Sequence, residues 1–565
     1  MNRKIPKQKT TPTKRGWSVG KRLDSVYPLV LGVLFVMICI YVFDRKLSLN
    51  GDNGAYYLIG KGILNGYGYS AFSDVNHTPE THFPPGYPLI IAGMLTLFPD
   101  NVIAIKILNG VFLGAALLLS FRIFRRIGAN SHLAFLSCLF LMLTTGLSLV
   151  DKQGFSVNAS LLASSTIMMS ETPFLFFASL ALYAFLRLDE PLRQREATSF
   201  TLTAFLEPLR SPIFYLFLFS LSFAFHIRTA GVSLFGFVVV YWLYYRRWDY
   251  LFLTGAGYTL LALPWLVRGM SLGGSSYITE LFHINPYRPE LGQAHLSDLV
   301  LRFYVNLLRY ITKEIPVGTL PVKITYEVTT AGDWLLGLTV LTVAVVGAWR
   351  LNRAFLGSYF LCLFGILLVW PDVWTGARFL LPGVPLLVLC LTQGVHIALT
   401  QAAKRLGLPF KPHPLILIVC VFFYLPNLRL LALAARSPYP PEWQTYLEIA
   451  KWAETNTPAD AVIACRSPYL FALTANRHTT FFANTLDDKE MLRSLENAKV
   501  THVVLDQLGF SATSRYLYPA IEKNPDRFTS IYDLTNPRKD LHQYLLLFNK
   551  PGVTQPPASS GSNSP

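Results

Sequence analysis

The chain has 565 residues, 52% hydrophobic and only 15% charged, against about 25% charged in an ordinary soluble domain, which weighs against a water-soluble enzyme of this size. Lys+Arg number 49 and Asp+Glu 33, a formal charge of +16. In a membrane chain such an excess sits in cytoplasmic loops and sets orientation, so no nucleic-acid partner is implied. Of the six cysteines, Cys39, Cys138, Cys362, Cys390 and Cys420 lie inside apolar runs and only Cys465 outside, so neither a disulfide framework nor a CxxC metal site can be built from them.

Residues 1–26 are basic and polar, and the apolar run Tyr27 to Phe43 follows without a small-residue cleavage site, so it reads as a retained anchor. Further apolar runs lie near Val102–Phe124, His132–Val150, Glu171–Leu188, Ser211–His226, Thr229–Tyr245, Asp249–Val267, Asp333–Trp349, Ala354–Trp370, Arg378–Leu399 and Pro414–Leu431. At about 20 residues per crossing they predict roughly eleven spans. Basic clusters fall in every second connection: Arg122, Arg125 and Arg126; Arg187 with Arg193 and Arg195; Arg246 and Arg247; Arg350 and Arg353; Lys404, Arg405 and Lys411. The positive-inside rule then puts the N-terminus in the cytoplasm and the C-terminus outside.

Three outer segments result: 44–101, 268–332 and everything beyond about residue 433. In the first, Tyr56, Ile59, Ile63 and Leu64 recur at helical spacing, which predicts an amphipathic helix on the membrane surface, followed by a second apolar helix, Gly86 to Phe98, too short to cross. From Trp443 helical stretches alternate with β-like runs (AVIAC, HTTFF, THVVLD, FTSIYDL, YLLLF), which predicts a small α/β domain over 434–550. The Pro/Ser/Gly-rich stretch 551–565 reads as disordered. The expected fold is thus mainly α, a polytopic helical bundle over 27–433 with a small extracytoplasmic α/β domain.

Asp52 lies just past the first span in LNGDNGAYY. A partly desolvated carboxylate there suits a general base, and equally an N-cap contributing about 1 kcal/mol. Glu171, in SETPFLFF, marks where the fourth span leaves the outer face and reads as a cavity carboxylate or as a favourable acid at a helix N-terminus. Arg228, Arg268 and Arg378 share an outer boundary that the positive-inside rule would leave depleted. Singly each suits a snorkelling anchor; together they suit an anion such as phosphate, with Lys61 able to join. His77, Glu80 and His82 fit no strong metal motif and read as loop residues, so a divalent metal is left open and no other cofactor is implied. GxxxxGK[ST] and a strand-borne GxGxxG are absent, which removes motif support for ATP or NAD chemistry.

The series GDNGAYYLIGKGILNGYGYS, PPGYPLIIAGMLTLF, SETPFLF, RTAG, PWLVRG and RFLLPGVPLLVL resembles the multispanning GT-C glycosyltransferases. Over roughly the first 400 residues it is most similar to the protein O-mannosyltransferase and aminoarabinose transferase superfamily, in its broad bacterial RgtA/B/C/D-like branch. The resemblance implies a polyprenyl-phosphate-linked sugar donor, a lipid, glycan or protein acceptor, and inverting transfer at the outer face; the long basic N-terminus favours a bacterial inner membrane. It makes Asp52 the base, with Glu171 assisting, Lys61, Arg228, Arg268, Arg378 and His82 the donor-phosphate set, and Asn53, Tyr56, Tyr57, Glu80, Pro85 and Tyr87 the cavity lining. Two departures stand out: Asn53 replaces the acid that follows the first-loop Asp in the aminoarabinose branch, and Phe83 replaces the Lys before the Pro pair. A lipid or solute transporter is the rival reading, but it would place charges near the midplane and show matching halves, neither of which is visible. An O-antigen-type polymerase or ligase would keep its key residues in late outer loops, against the early Asp52.

Overall fold

In the computed structural model of the chain the described residues are 14–549, apart from 144–147, 151–153, 157–160, 193–201, 275, 323, 375 and 537–540. The first basic residues, Arg193 and Arg195, and the tail from residue 551 lie outside them. Among the described residues seven helices are long and apolar enough to cross a membrane: Arg22–Val42, Val102–Arg126, Glu171–Leu192, Trp248–Ser271, Ala331–Ala348, Val384–Arg405 and, within Pro412–Asn456, the apolar Pro412–Arg436, which a break at 437–440 separates from Pro441–Asn456. Four shorter apolar helices, Ser131–Leu143, Pro212–Ile227, Thr229–Tyr244 and Arg353–Leu367, coincide with the remaining expected spans, and Gly86–Leu97 is the one expected to be too short.

These helices begin where sequence chemistry lets them. The Asn101 side chain accepts from Ala104 N at 3.0 Å, Asn352 from Phe355 N at 3.2 Å, and Thr330 with Asp333 forms a capping box. At the end of the bundle remote from the long loops, Asp24 ties Arg125 (2.7 Å) to Ser131 (2.8 Å), and Arg126 pairs with Glu190.

One loop helix differs from expectation, and a second was not anticipated. Gly51–Leu64 does not lie on a surface: Asn53 to Gly60 and Gly62 are buried, because the helix is sandwiched between Gly86–Leu97 and Pro468–Ala475 of the C-terminal domain. Its glycines permit the approach, since a Cβ on Gly54 would stand 2.8 Å from Tyr469 Cβ and one on Gly60 2.8 Å from Ile91 Cγ2. The interfacial character belongs instead to Leu296–Arg309, which exposes Leu296, Val300, Phe303 and Tyr304 while burying Arg302 and Asn306. That inside-out face is what a helix presenting its apolar side to lipid requires.

The C-terminal domain carries the five expected strands in the order His478–Thr480, Val462–Ala464, His502–Leu505, Leu541–Phe548, Phe528–Asn536. The first three are parallel and the last two antiparallel. Alternate residues of the central strands serve opposite faces. Val462, Ala464 and Val503 pack on Met491, Leu495 and Leu517, while Ile463, Cys465 and Val504 pack on Tyr446, Ile449 and Phe471. The domain is therefore a sheet between two helical layers. It docks on the bundle through Pro468–Ala475, through Thr479 N donating to Ser73 O at 3.1 Å, and through Arg515 pairing with Glu290 at 2.9 Å.

Candidate active site

Asp52 stands in the first turn of Gly51–Leu64, where the helix dipole favours a carboxylate. The N-cap is Asn50, whose Oδ1 accepts from Asp52 N at 3.1 Å, so the capping role open to Asp52 is already filled. Among the described residues the Asp52 carboxylate has neither a hydrogen bond nor an ion pair, and it is only partly buried. Its charge is felt at Tyr56, His82, Tyr287 and Tyr469, which come from the first loop, the second long loop and the C-terminal domain.

Around Asp52 many of the expected residues are committed to one another. Asn53, expected in the cavity, is fully buried: its Oδ1 accepts from Met168 N at 2.6 Å and its Nδ2 donates to Asn50 O at 3.1 Å. A carboxylate could accept the first but not donate the second, which accounts for an amide here. Tyr56 contacts the Ser170 hydroxyl at 3.0 Å, and that hydroxyl accepts from Arg228 Nη1 at 3.0 Å. Arg228 Nη1 also lies 2.8 Å from Glu171 Oε1, a charge contact without good hydrogen-bond alignment. Glu171 therefore neutralises Arg228 and supplies the anionic partner that an arginine in so apolar a context needs. Tyr57 donates to Asp100 at 2.9 Å and Lys61 pairs with the same carboxylate at 2.8 Å, which takes both away from the Asp52 group. Tyr87 belongs to the core, fully buried and accepting from Asn109 Nδ2 at 2.8 Å, while Pro85 opens the helix Gly86–Leu97.

The others shape the cavity. Glu80 Oε1 accepts from His82 N at 2.5 Å and Phe83 N at 3.3 Å, closing a turn. Arg268 braces that turn, donating to Glu80 O at 2.7 Å and Tyr69 O at 3.4 Å with its guanidinium over the Tyr69 and Trp265 rings. His82 Nδ1 stands 3.4 Å from Glu280 Oε1. His77 is stacked on Tyr67, and among the described residues no three or more His, Cys, Asp or Glu are placed to hold a metal ion. Arg378 is half-buried with no carboxylate partner among the described residues and lies over the Phe379 ring. Its approach is fixed by buried Glu314, which accepts from Gly376 N at 3.0 Å and from the Tyr326 hydroxyl at 2.8 Å, and whose carboxyl is pushed above the usual range by burial.

Sequence reasoning missed four residues that the fold brings here: Glu280, Tyr287, Arg466 and Tyr469. Arg302 fixes the first two by donating to Leu281 O at 2.7 Å and Ile284 O at 3.3 Å. Arg466 and Tyr469 flank the start of Pro468–Ala475, whose Ser-Pro pair was the available helix-start signal.

No protein-family model matches the sequence, and no curated protein matches it. Solved structures do. ArnT from Cupriavidus metallidurans bound to undecaprenyl phosphate superposes with a TM-score of 0.56 at 12% identity, covering 95% of this chain and 98% of that one. The Archaeoglobus fulgidus oligosaccharyltransferase tethered to an acceptor peptide gives 0.54 at 14% identity, covering 92% and 74%. The chain thus shares the GT-C fold.

Proposed function

We propose that this chain is a membrane glycosyltransferase that moves a sugar from a polyprenyl-phosphate carrier to a lipid, glycan or protein acceptor, with Asp52 as general base. The observation that carries this reading is a first-turn carboxylate with no partner among the described residues, set among cations from separate loops. The shared fold with ArnT and the oligosaccharyltransferase supports it.

In this reading the acceptor's hydroxyl or amine attacks the anomeric carbon from the side opposite the phosphate while Asp52 takes its proton. The bond from that carbon to the phosphate oxygen breaks, its electron pair stays on the phosphate, and the anomeric configuration inverts. His82, Arg268 and Arg378 offset the charge that develops on the leaving group. Lys61 and Arg228 drop out of the phosphate set because Asp100 and Glu171 already balance them, and Glu171 acts only through Arg228. The loop side faces outward and the N-terminus faces the cytoplasm of a bacterial inner membrane, as the basic loops require.

The test is transfer from labelled polyprenyl-phosphate sugars by reconstituted protein, wild type against Asp52→Asn at equal folded yield. A loss of about a hundredfold or more is expected for a missing base. Equal rates remove Asp52 from the chemistry. No release of free polyprenyl phosphate from any donor returns the weight to a transporter.

A further inference from the structure

The parallel strands of the C-terminal domain end toward the bundle. Val462–Ala464 runs through Cys465 into Arg466 and then into the helix Pro468–Ala475 that packs on the Asp52 helix. His502–Leu505 runs into Asp506 and the loop bearing Phe510, followed by Arg515 and Tyr516. Those last two side chains grip Glu290 at 2.9 and 3.0 Å, three residues beyond Tyr287. In α/β sheets the crevice outside the carboxyl ends of parallel strands is where ligands bind. Here that crevice is closed by the loops holding Asp52 and Tyr287, so the domain forms a wall of the same cavity.

Arg466 occupies this wall. Its guanidinium stands over the Phe510 ring at 4.8 Å, and its Nε is buried with no acceptor among the described residues. Asp506 is the carboxylate that feels its charge, but the oxygens of Asp506 accept from Leu508 N at 3.1 Å and the Thr513 hydroxyl at 3.1 Å, and the two make no ion pair. A buried donor left without an acceptor by the protein is suited to a bound anion. Arg378 likewise has no carboxylate partner among the described residues, whereas Arg268, which also lacks one, is taken up by the Glu80 and Tyr69 carbonyls. The Tyr287 hydroxyl feels both guanidinium groups together with Asp52 and Glu280. Arg378 approaches from the boundary of the bundle and Arg466 from the domain above it, so a group held between them lies where a membrane-anchored headgroup meets the cavity.

We infer that Arg466, supplied by the C-terminal domain, joins Arg378 in binding the phosphate of the lipid-linked donor. This rests on the transferase reading above and assigns the domain a direct part in substrate binding. Two such forks can each make paired charge-assisted hydrogen bonds to one phosphate, which a lysine cannot reproduce.

The experiment measures binding of undecaprenyl phosphate to the purified full chain in nanodiscs, beside donor and acceptor KM. Arg466→Ala is expected to weaken undecaprenyl-phosphate binding by about tenfold or more and to raise donor KM in step, as loss of a charged hydrogen bond does. Arg493→Ala, an exposed arginine of the same domain, should leave both unchanged. Wild-type binding retained in Arg466→Ala overturns the inference and leaves the transferase reading standing. A raised acceptor KM with unchanged undecaprenyl-phosphate binding also overturns it, reassigning Arg466 to the acceptor. Wild type that binds no undecaprenyl phosphate overturns both readings. Should Arg466→Ala lower the melting temperature, Arg466→Lys decides: weakened binding at unchanged melting supports the inference, and full binding overturns it.

Discussion

Burial alone would push the imidazole of His82 below its ordinary value near 6.5, but the Glu280 carboxylate at 3.4 Å, with Glu80 and Asp52 behind it, raises it instead. A histidine raised on folding contributes stability that is complete below the unfolded value, about pH 6.5, and is lost as pH climbs through the folded one. The melting temperature of wild type should therefore exceed that of His82→Gln most at about pH 6, with the gap closing on the alkaline side. A gap that widens with rising pH would show that the carboxylates do not govern this imidazole. At the residue scale the sequence made Asp52 legible, because an acid directly after an apolar span needs a reason. It did not reveal that Lys61 and Arg228 are neutralised, since Asp100 and Glu171 become their partners only once distant helices pack. Arg466 was invisible for a similar reason: no motif surrounds it, and Phe510 and Asp506 come beside it only once the sheet of its own domain has assembled.

The helix Gly51–Leu64 illustrates how an element can be found correctly and placed wrongly. Its apolar period is real, but the glycine positions Gly54 and Gly60, which read as neutral on a helical wheel, are where two other helices close in. Amides of this helix should exchange with solvent as slowly as those of the membrane spans, whereas a surface helix would exchange fast. Gly54→Val should abolish that protection, because the added side chain meets the Tyr469 backbone and overpacking of this kind costs about 1–3 kcal/mol. Slow exchange unchanged in the variant would mean that the two helices do not touch. The spans and the five strands of the C-terminal domain were legible because length and alternation are local signals. Pro468–Ala475 was not, because eight almost uniformly apolar residues carry no period. Nor was Leu296–Arg309, whose polar face is the buried one.

At the scale of the whole molecule, the orientation proposed above from the alternating basic loops puts Arg405 and Arg493, both exposed, on opposite sides of the membrane. A cysteine replacing Arg493 should react with a membrane-impermeant maleimide added to intact spheroplasts, and one replacing Arg405 should react only after permeabilisation. The reverse pattern would invert the molecule and place the site in the cytoplasm. The contact of Pro468–Ala475 with the Asp52 helix also has a bearing on biosynthesis. Domains fold broadly in the order in which the ribosome releases them, so the carboxylate reaches the membrane early and waits, lacking one wall of its cavity, until nearly the whole polypeptide has been made. On the transferase reading proposed above, a nascent or prematurely terminated chain should be inert toward lipid-linked sugars although every span is inserted, gaining competence only with the last domain.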